Sequence, residues 1–190
     1  MTALHELGAR ELAAQYGSGA LSPVEVVRAV IERIARWEPR LHALWAYAPE
    51  AALALARASE ARWRARQPLS ALDGVPLTLK DNIATRGLAV PLGTAATELV
   101  PADEDAPPAA RLREAGAVLL AKTTMPDYGM LSSGLSSFHA LARNPWNLAT
   151  NPGGSSAGAG AAAAAGYGPL HLGTDIGGSI RLPAAWCGIV

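Results

Sequence analysis

Three short segments place polar side chains where apolar or turn-forming residues would suffice. In Asp73-Gly74-Val75-Pro76-Leu77-Thr78-Leu79-Lys80-Asp81-Asn82 a lysine closes an apolar run. Burial disfavours the ammonium form, and a neutral lysine is a base. On this segment alone a surface lysine at a strand end is the plainer reading. Asn151-Pro152-Gly153-Gly154-Ser155-Ser156-Ala157-Gly158 sets two hydroxyls behind glycines that permit close backbone approach. It lacks the Gly-Lys-Ser/Thr ending of a P-loop and the G-x-G-x-x-G spacing of a dinucleotide fold. It matches G-x-S-x-G around Ser156, but Asn144 to Pro152 is no apolar strand and no histidine follows Asp175, so a nucleophile elbow is rejected. In Gly173-Thr174-Asp175-Ile176-Gly177-Gly178-Ser179-Ile180-Arg181-Leu182-Pro183 an apolar run enters two glycines and a serine. Successive N–H groups there could converge beside a hydroxyl, as an oxyanion hole requires, with Asp175 and Arg181 spaced to pair across the turn.

The elements that must carry these segments follow from patterning. Helical spacing covers Leu4 to Tyr16 and stops at Gly17; Ser22, Pro23 and Glu25 form a capping-box start. Val27, Val30, Ile31, Ile34 and Trp37 then define an amphipathic helix that should end before Pro39, and an Ala-rich helix is expected from Glu50 to Arg66, its arginines a solvated face. Beyond Leu72 the character changes. Strands are expected over Val75–Lys80, Val118–Lys122 and Leu170–Gly173, and helices over Ala109–Ala115 and Ser156–Ala165. The run Trp186-Cys187-Gly188-Ile189-Val190 looks like the start of a buried strand. Strands alternating with helices argue for an α/β fold: a mixed sheet core flanked by helices, with residues 1–70 as a helical layer and 71–190 as the α/β core portion of one domain, 1–190.

Composition removes several classes of function. The 190 residues carry 16 basic and 16 acidic side chains, so nothing draws the chain toward nucleic acid or an anionic membrane. The single Cys187 excludes an internal disulfide and a cysteine-rich zinc site and suits a reducing, cytoplasmic setting. Met1 to Ala13 lacks the basic start and apolar core of a signal peptide; the uncharged stretch Asn144–Thr174 is too rich in proline and glycine for a membrane span. Alanine supplies about a fifth of the residues, so close backbone packing is expected. Only Lys80 and Lys122 among the basic residues are lysines, which makes each a deliberate choice.

Together the motifs Gly74-Val75-Pro76-Leu77-Thr78-Leu79-Lys80-Asp81, Arg143-Asn144-Pro145-Trp146-Asn147, Pro152-Gly153-Gly154-Ser155-Ser156 and Gly173-Thr174-Asp175-Ile176-Gly177-Gly178-Ser179-Ile180-Arg181 resemble the amidase signature family, over essentially the whole chain. The resemblance implies the amidase signature fold and a Ser, cis-Ser, Lys triad: Ser179 as nucleophile, Ser155 as the bridging serine in a cis peptide bond after Gly154, and Lys80 as terminal base. The backbone N–H groups of Ile176, Gly177, Gly178 and Ser179 would bind the oxyanion, with Gly154, Ser156, Asp175 and Arg181 in support. Asp127, Ser132, Ser133, Ser136 and Ser137 lie where family members approach substrate. None of His5, His42, His139 and His171 is needed, Lys122 serves structure, and Cys187 is a packed residue.

The implied activity is an amidohydrolase that cleaves a carboxamide C–N bond through an acyl-serine and releases ammonia. It needs no cofactor and no metal. Its partner is a small-molecule amide, with no direct nucleic-acid or membrane contact and a homodimer left open. The alternatives are the A subunit of a tRNA-dependent amidotransferase and a catalytically incompetent fragment or interaction module. Family members are considerably longer, so the chain is expected to be the N-terminal part of an amidase, truncated at its C-terminus and poorly active alone. The downstream reading frame separates a truncated sequence from a true stop.

Overall fold

The first helical stretch breaks in two. In the computed structural model, which describes residues 3–190, Leu4–Glu6 forms a 3-10 turn and α1 spans Ala9–Ser18. The helix expected over Leu4 to Tyr16 is therefore interrupted at Gly8, whose N–H is taken by the Glu11 carboxylate (2.7 Å). It runs through Gly17 to end on Gly19 in the left-handed region (φ 75°). α2 (Pro23–Leu41) starts as the sequence predicts: Ser22 Oγ accepts from the Glu25 N–H (3.2 Å) and the Glu25 carboxylate accepts from the Ser22 N–H (2.8 Å). It does not stop before Pro39. Proline removes only the bond to the Ala35 carbonyl; Ala35 is exposed, and the continued turn buries Leu41.

The sheet has four strands in the order β1–β3–β2–β4. β2 (Pro76–Lys80) runs parallel to both β3 (Val118–Thr123) and β4 (Leu170–Leu172), while the two-residue β1 (Leu44–Trp45), not foreseen from sequence, pairs antiparallel with β3. All five β2 residues are buried, as a central strand covered on both faces requires. On one face Val27, Val30 and Ile34 of α2 and Ala52 and Ala56 of α3 (Pro49–Arg64) pack with Val118 and Leu120. On the other, Leu77 and Leu79 pack with Ala109 of α4 (Pro107–Glu114).

A register shift between Leu77 and Thr78 places two β3 residues, Leu120 and Ala121, on the first face. Beyond it Lys122 pairs with Leu79, and Thr123 pairs with Lys80. Residues paired across parallel strands share a face, so the irregularity sends Lys122 to the α4 side and leaves Lys80 alone on the other.

α5 (Ala157–Ala165) is built only from alanine and glycine and packs without spacers. A Cβ on Gly158 would meet Thr124 Oγ1 at 2.7 Å; one on Gly160 would meet the Pro183 Cβ at 2.8 Å. Pro183 belongs to α6 (Arg181–Cys187), which replaces the strand expected from Trp186. The Asp175 carboxylate accepts the N–H groups of Ile180 (3.0 Å) and Arg181 (3.2 Å) and so starts a helix there; Gly188 in the left-handed region (φ 65°) ends it. Asn144 Nδ2 and Trp146 Nε1 donate to the carbonyls of Trp186 (3.0 Å) and Cys187 (2.7 Å), so the Arg143–Asn147 motif caps the far end of the same helix.

Gly158→Ala should lower stability despite the better helix propensity of alanine, which favours the variant by roughly 1 kcal/mol. Overpacking against the Ala43 carbonyl and Thr124 costs about 1–3 kcal/mol. A fall in the urea midpoint at unchanged slope is the expected result, and an unchanged midpoint would show that α5 has room to move.

Candidate active site

Lys80 and Ser155 meet inside the protein. Lys80 ends β2 and Ser155 precedes α5; both are almost completely buried, and Lys80 Nζ lies 2.7 Å from Ser155 Oγ. Nζ also lies 3.0 Å from Thr174 Oγ1, which is in turn 3.1 Å from Asn82 Nδ2. Burial pushes the Lys80 amine down to about 8, opposed by the negative charges of Asp81 and Asp175. Once neutral, the amine accepts the Ser155 proton while donating to Thr174.

The peptide bond before Ser155 is cis, as the family resemblance implies. Gly154 faces the backbone of Leu131 and Ser133: a Cβ there would lie 2.6 Å from Ser133 N and 2.7 Å from Leu131 O. Gly129, in the same loop, approaches the Ser155 hydroxyl, so the loop after β3 forms one wall beside Ser155.

Ser179 is tied to this centre through its backbone. The Ser156 N–H donates to the Ser179 carbonyl (3.1 Å), and the Ser156 hydroxyl donates to the Thr174 carbonyl (3.3 Å). No hydrogen bond joins the Ser179 and Ser155 hydroxyls. Asp175 organises the turn between Thr174 and Ser179. Its carboxylate pairs with Arg181 (2.8 and 3.0 Å), as the spacing predicts, and the guanidinium holds it well below the usual carboxylate range. It also accepts the Gly178 N–H at 2.7 Å. That amide, expected among the oxyanion donors, is thus committed to Asp175. The N–H groups of Ile176, Gly177 and Ser179 have no acceptor among the described residues. Ile176 and Gly177 are exposed.

Of the other residues singled out from sequence, Asp127 accepts the Ser137 N–H (2.8 Å) and hydroxyl, and Ser136 binds the Gly93 carbonyl, so these residues fold the loop that walls Ser155. His171 donates Nε2–H to the Gly168 carbonyl (2.9 Å) and accepts from Thr78 Oγ1 (2.8 Å); burial pushes it down to about 4, so it is neutral near pH 7. Cys187 is buried, and that burial raises its thiol to about 11. Lys122 is buried on the opposite face, where Nζ donates to the Ile83 carbonyl and to Thr85 Oγ1 (3.0 Å). Sequence reasoning gave no role to Asn82, Thr174 or Asp81, although Asp81 adjoins Lys80, Thr174 adjoins Asp175, and Asn82 stands two positions beyond Lys80. Among the described residues no His, Cys, Asp or Glu cluster fits a metal ion, and no helix is long and apolar enough to cross a membrane.

The mixed sheet thus delivers a buried lysine to a serine after a cis bond, beside a Gly-Gly-Ser turn. A family model described as Amidase matches residues 25–190, and the chain belongs to that family, the amidase signature enzymes. It is 46% identical over 95% of its length to the A subunit of the glutamyl-tRNA(Gln) amidotransferase from Oleidesulfovibrio alaskensis, covering 37% of that protein. With the corresponding protein of Thermobifida fusca it shares 43% identity over its whole length, covering 38% of that relative. Among solved structures it resembles the peptide amidase of Stenotrophomonas maltophilia (TM-score 0.87, 35% identity, 95% of this chain and 38% of that one). It also resembles fatty acid amide hydrolase (TM-score 0.92, 29% identity, 96% and 32%). The chain therefore spans well under half the length of these relatives.

The depressed lysine has a thermodynamic signature. Its folded value, about 8, lies below the ordinary 10.5, so the unfolded chain binds more protons between those pH values and stability rises with pH across that window. Below about pH 8 both states hold the proton and the full penalty remains. Lys80→Met should therefore gain less stability than the parent as pH rises from about 8 to 10.5, as followed by urea denaturation at several pH values; Lys122 adds to the parent's increase, while Cys187 and Tyr47, raised by burial, oppose it.

Proposed function

We propose that this chain carries the catalytic residues of an amidohydrolase that cleaves a carboxamide C–N bond. The observation that carries this reading is the 2.7 Å contact between the buried Lys80 amine and Ser155. Ser179 Oγ attacks the carbonyl carbon while its proton passes through Ser155 to Lys80. The C–N bond then breaks, the nitrogen takes that proton back through Ser155, and ammonia leaves an acyl ester on Ser179. Water attacks the ester carbon and gives a proton along the same route to Lys80; the acyl C–O bond then breaks, Ser179 Oγ takes that proton back through Ser155, and the carboxylate is released. The Ser179 to Ser155 hydrogen bond forms in the substrate complex, since catalytic contacts are often loose without substrate. The amides of Ile176, Gly177 and Ser179 receive the oxyanion, and Gly178 serves the turn through Asp175.

Glutamine as the amide, within a tRNA-dependent amidotransferase, is the second reading. The 46% and 43% identities to amidotransferase A subunits favour it over the 35% and 29% to solved amidases. Glutaminase activity that rises when a partner protein is added selects it, whereas release of ammonia from simple carboxamides without a partner selects a stand-alone amidase. Ile176 and Ile180 flank Ser179 in the chain and are exposed, as is Trp186 on α6, and the relatives extend well beyond the matched region. Low turnover by residues 1–190 alone is the corresponding expectation.

A fluorophosphonate probe tests the nucleophile without requiring turnover. Labelling should fall at Ser179, vanish in Ser179→Ala, and slow at least about a hundredfold in Lys80→Ala and Ser155→Ala, as loss of a general base does. Its rate should climb as pH rises through about 8, where Lys80 releases its proton. Labelling that persists in Ser179→Ala would remove the assignment.

A further inference from the structure

We propose that His139 is a positioning residue for Lys80, acting through a buried hydrogen bond from its Nε2 to the Asp81 carboxylate; this rests on Lys80 being the base. Asp81 follows Lys80 in the chain and is fully buried. Its carboxylate accepts three donors: His139 Nε2 (2.8 Å), the Gly93 N–H (2.8 Å) and the Leu92 N–H (3.2 Å). His139 is itself buried and clamped. Its N–H reaches Ser136 Oγ (2.8 Å), its ring meets Phe138 at 4.9 Å and Trp45 at 5.8 Å, and the Ser136 hydroxyl returns to the Gly93 carbonyl. Asp81 thus joins the end of β2 to both loops that frame the site, one of which packs on Gly154 and Ser155.

The cluster sets charge as well as position. Asp81 is the carboxylate whose attraction acts on both buried lysines, with Asp175 also acting on Lys80 and Asp105 on Lys122. A donor on Asp81 disperses its charge and weakens its hold on the Lys80 ammonium. His139 borders a cavity shared with Glu38 and His42 of the α2 end, Tyr47 after β1 and Thr124 after β3. Of these only Glu38 is a carboxyl group, and burial raises it to about 7.

Because the chain has two lysines, their side-chain signals are resolvable by NMR with carbon-13-labelled lysine, and Lys80→Met assigns them. His139→Phe keeps the aromatic packing and removes the donor, so Lys80 should hold its proton to a pH higher by about half a unit. Asp81→Asn should move the same titration the opposite way, and His139→Gln, which keeps an N–H donor, should leave it near the parent. Opposite signs are the result a purely structural role would not give. Should His139→Phe not fold, the unmodified protein decides: the His139 Nε2–H that donates to Asp81 should give a nitrogen-15-coupled ring proton slow to exchange with water. Shifts of one sign in His139→Phe and Asp81→Asn, or the absence of that protected ring proton, would overturn the proposal. Neither readout requires turnover, so it fails separately from the nucleophile assignment.

Discussion

A lysine held out of water governs this structure. At the end of a fully buried strand, Lys80 has no ion pair at hydrogen-bonding distance and meets only hydroxyls and a carbonyl, so the fold tolerates it best in the neutral state. Every neighbouring element answers to that constraint. The register irregularity in the adjacent strand turns the second lysine to the far side of the sheet, where a carbonyl and a threonine receive it. Two carboxylates stand near enough to moderate the penalty without closing a salt bridge.

The serines reach the lysine because glycine lets backbones replace side chains as spacers. Gly154 lies against the loop after β3, Gly158 against Ala43 and Thr124 and Gly160 against the Pro183 ring, so the main chain of α5 itself is the packing surface. The two ends of α6 are then fixed separately, by Asp175 before it and by Asn144 and Trp146 after it. Ser179 precedes this doubly anchored helix, and Ser155 precedes the helix it packs on.

Local chemistry made much of this readable from sequence. The Ser22 cap, the apolar run ending in Lys80, and the Asp175–Arg181 pair depend on residues a few positions apart, and each stands where its spacing placed it. What escaped depends on distant partners. Pro39 reads as a stop because its cost is local, whereas the burial of Leu41 that outweighs it is tertiary. The apolar residues around Trp186 fit a strand by composition, whereas Asp175 at one end and Asn144 and Trp146 at the other satisfy the ends of a helix. Asp81 and His139 are 58 positions apart, and no periodicity links them. The hydrogen bond from Gly178 escaped for a related reason: one carboxylate accepts several amides, and spacing does not reveal which.

The composition of α5 has an entropic consequence. Alanine and glycine have no side-chain rotamers to freeze, so forming this helix costs backbone freedom alone, a cost glycine increases. In exchange, the element leading from Ser155 has no rotameric states through which disorder could reach the hydroxyl. The site is framed by a helix whose side chains have a single conformation available, and thermal motion there must be motion of the main chain itself.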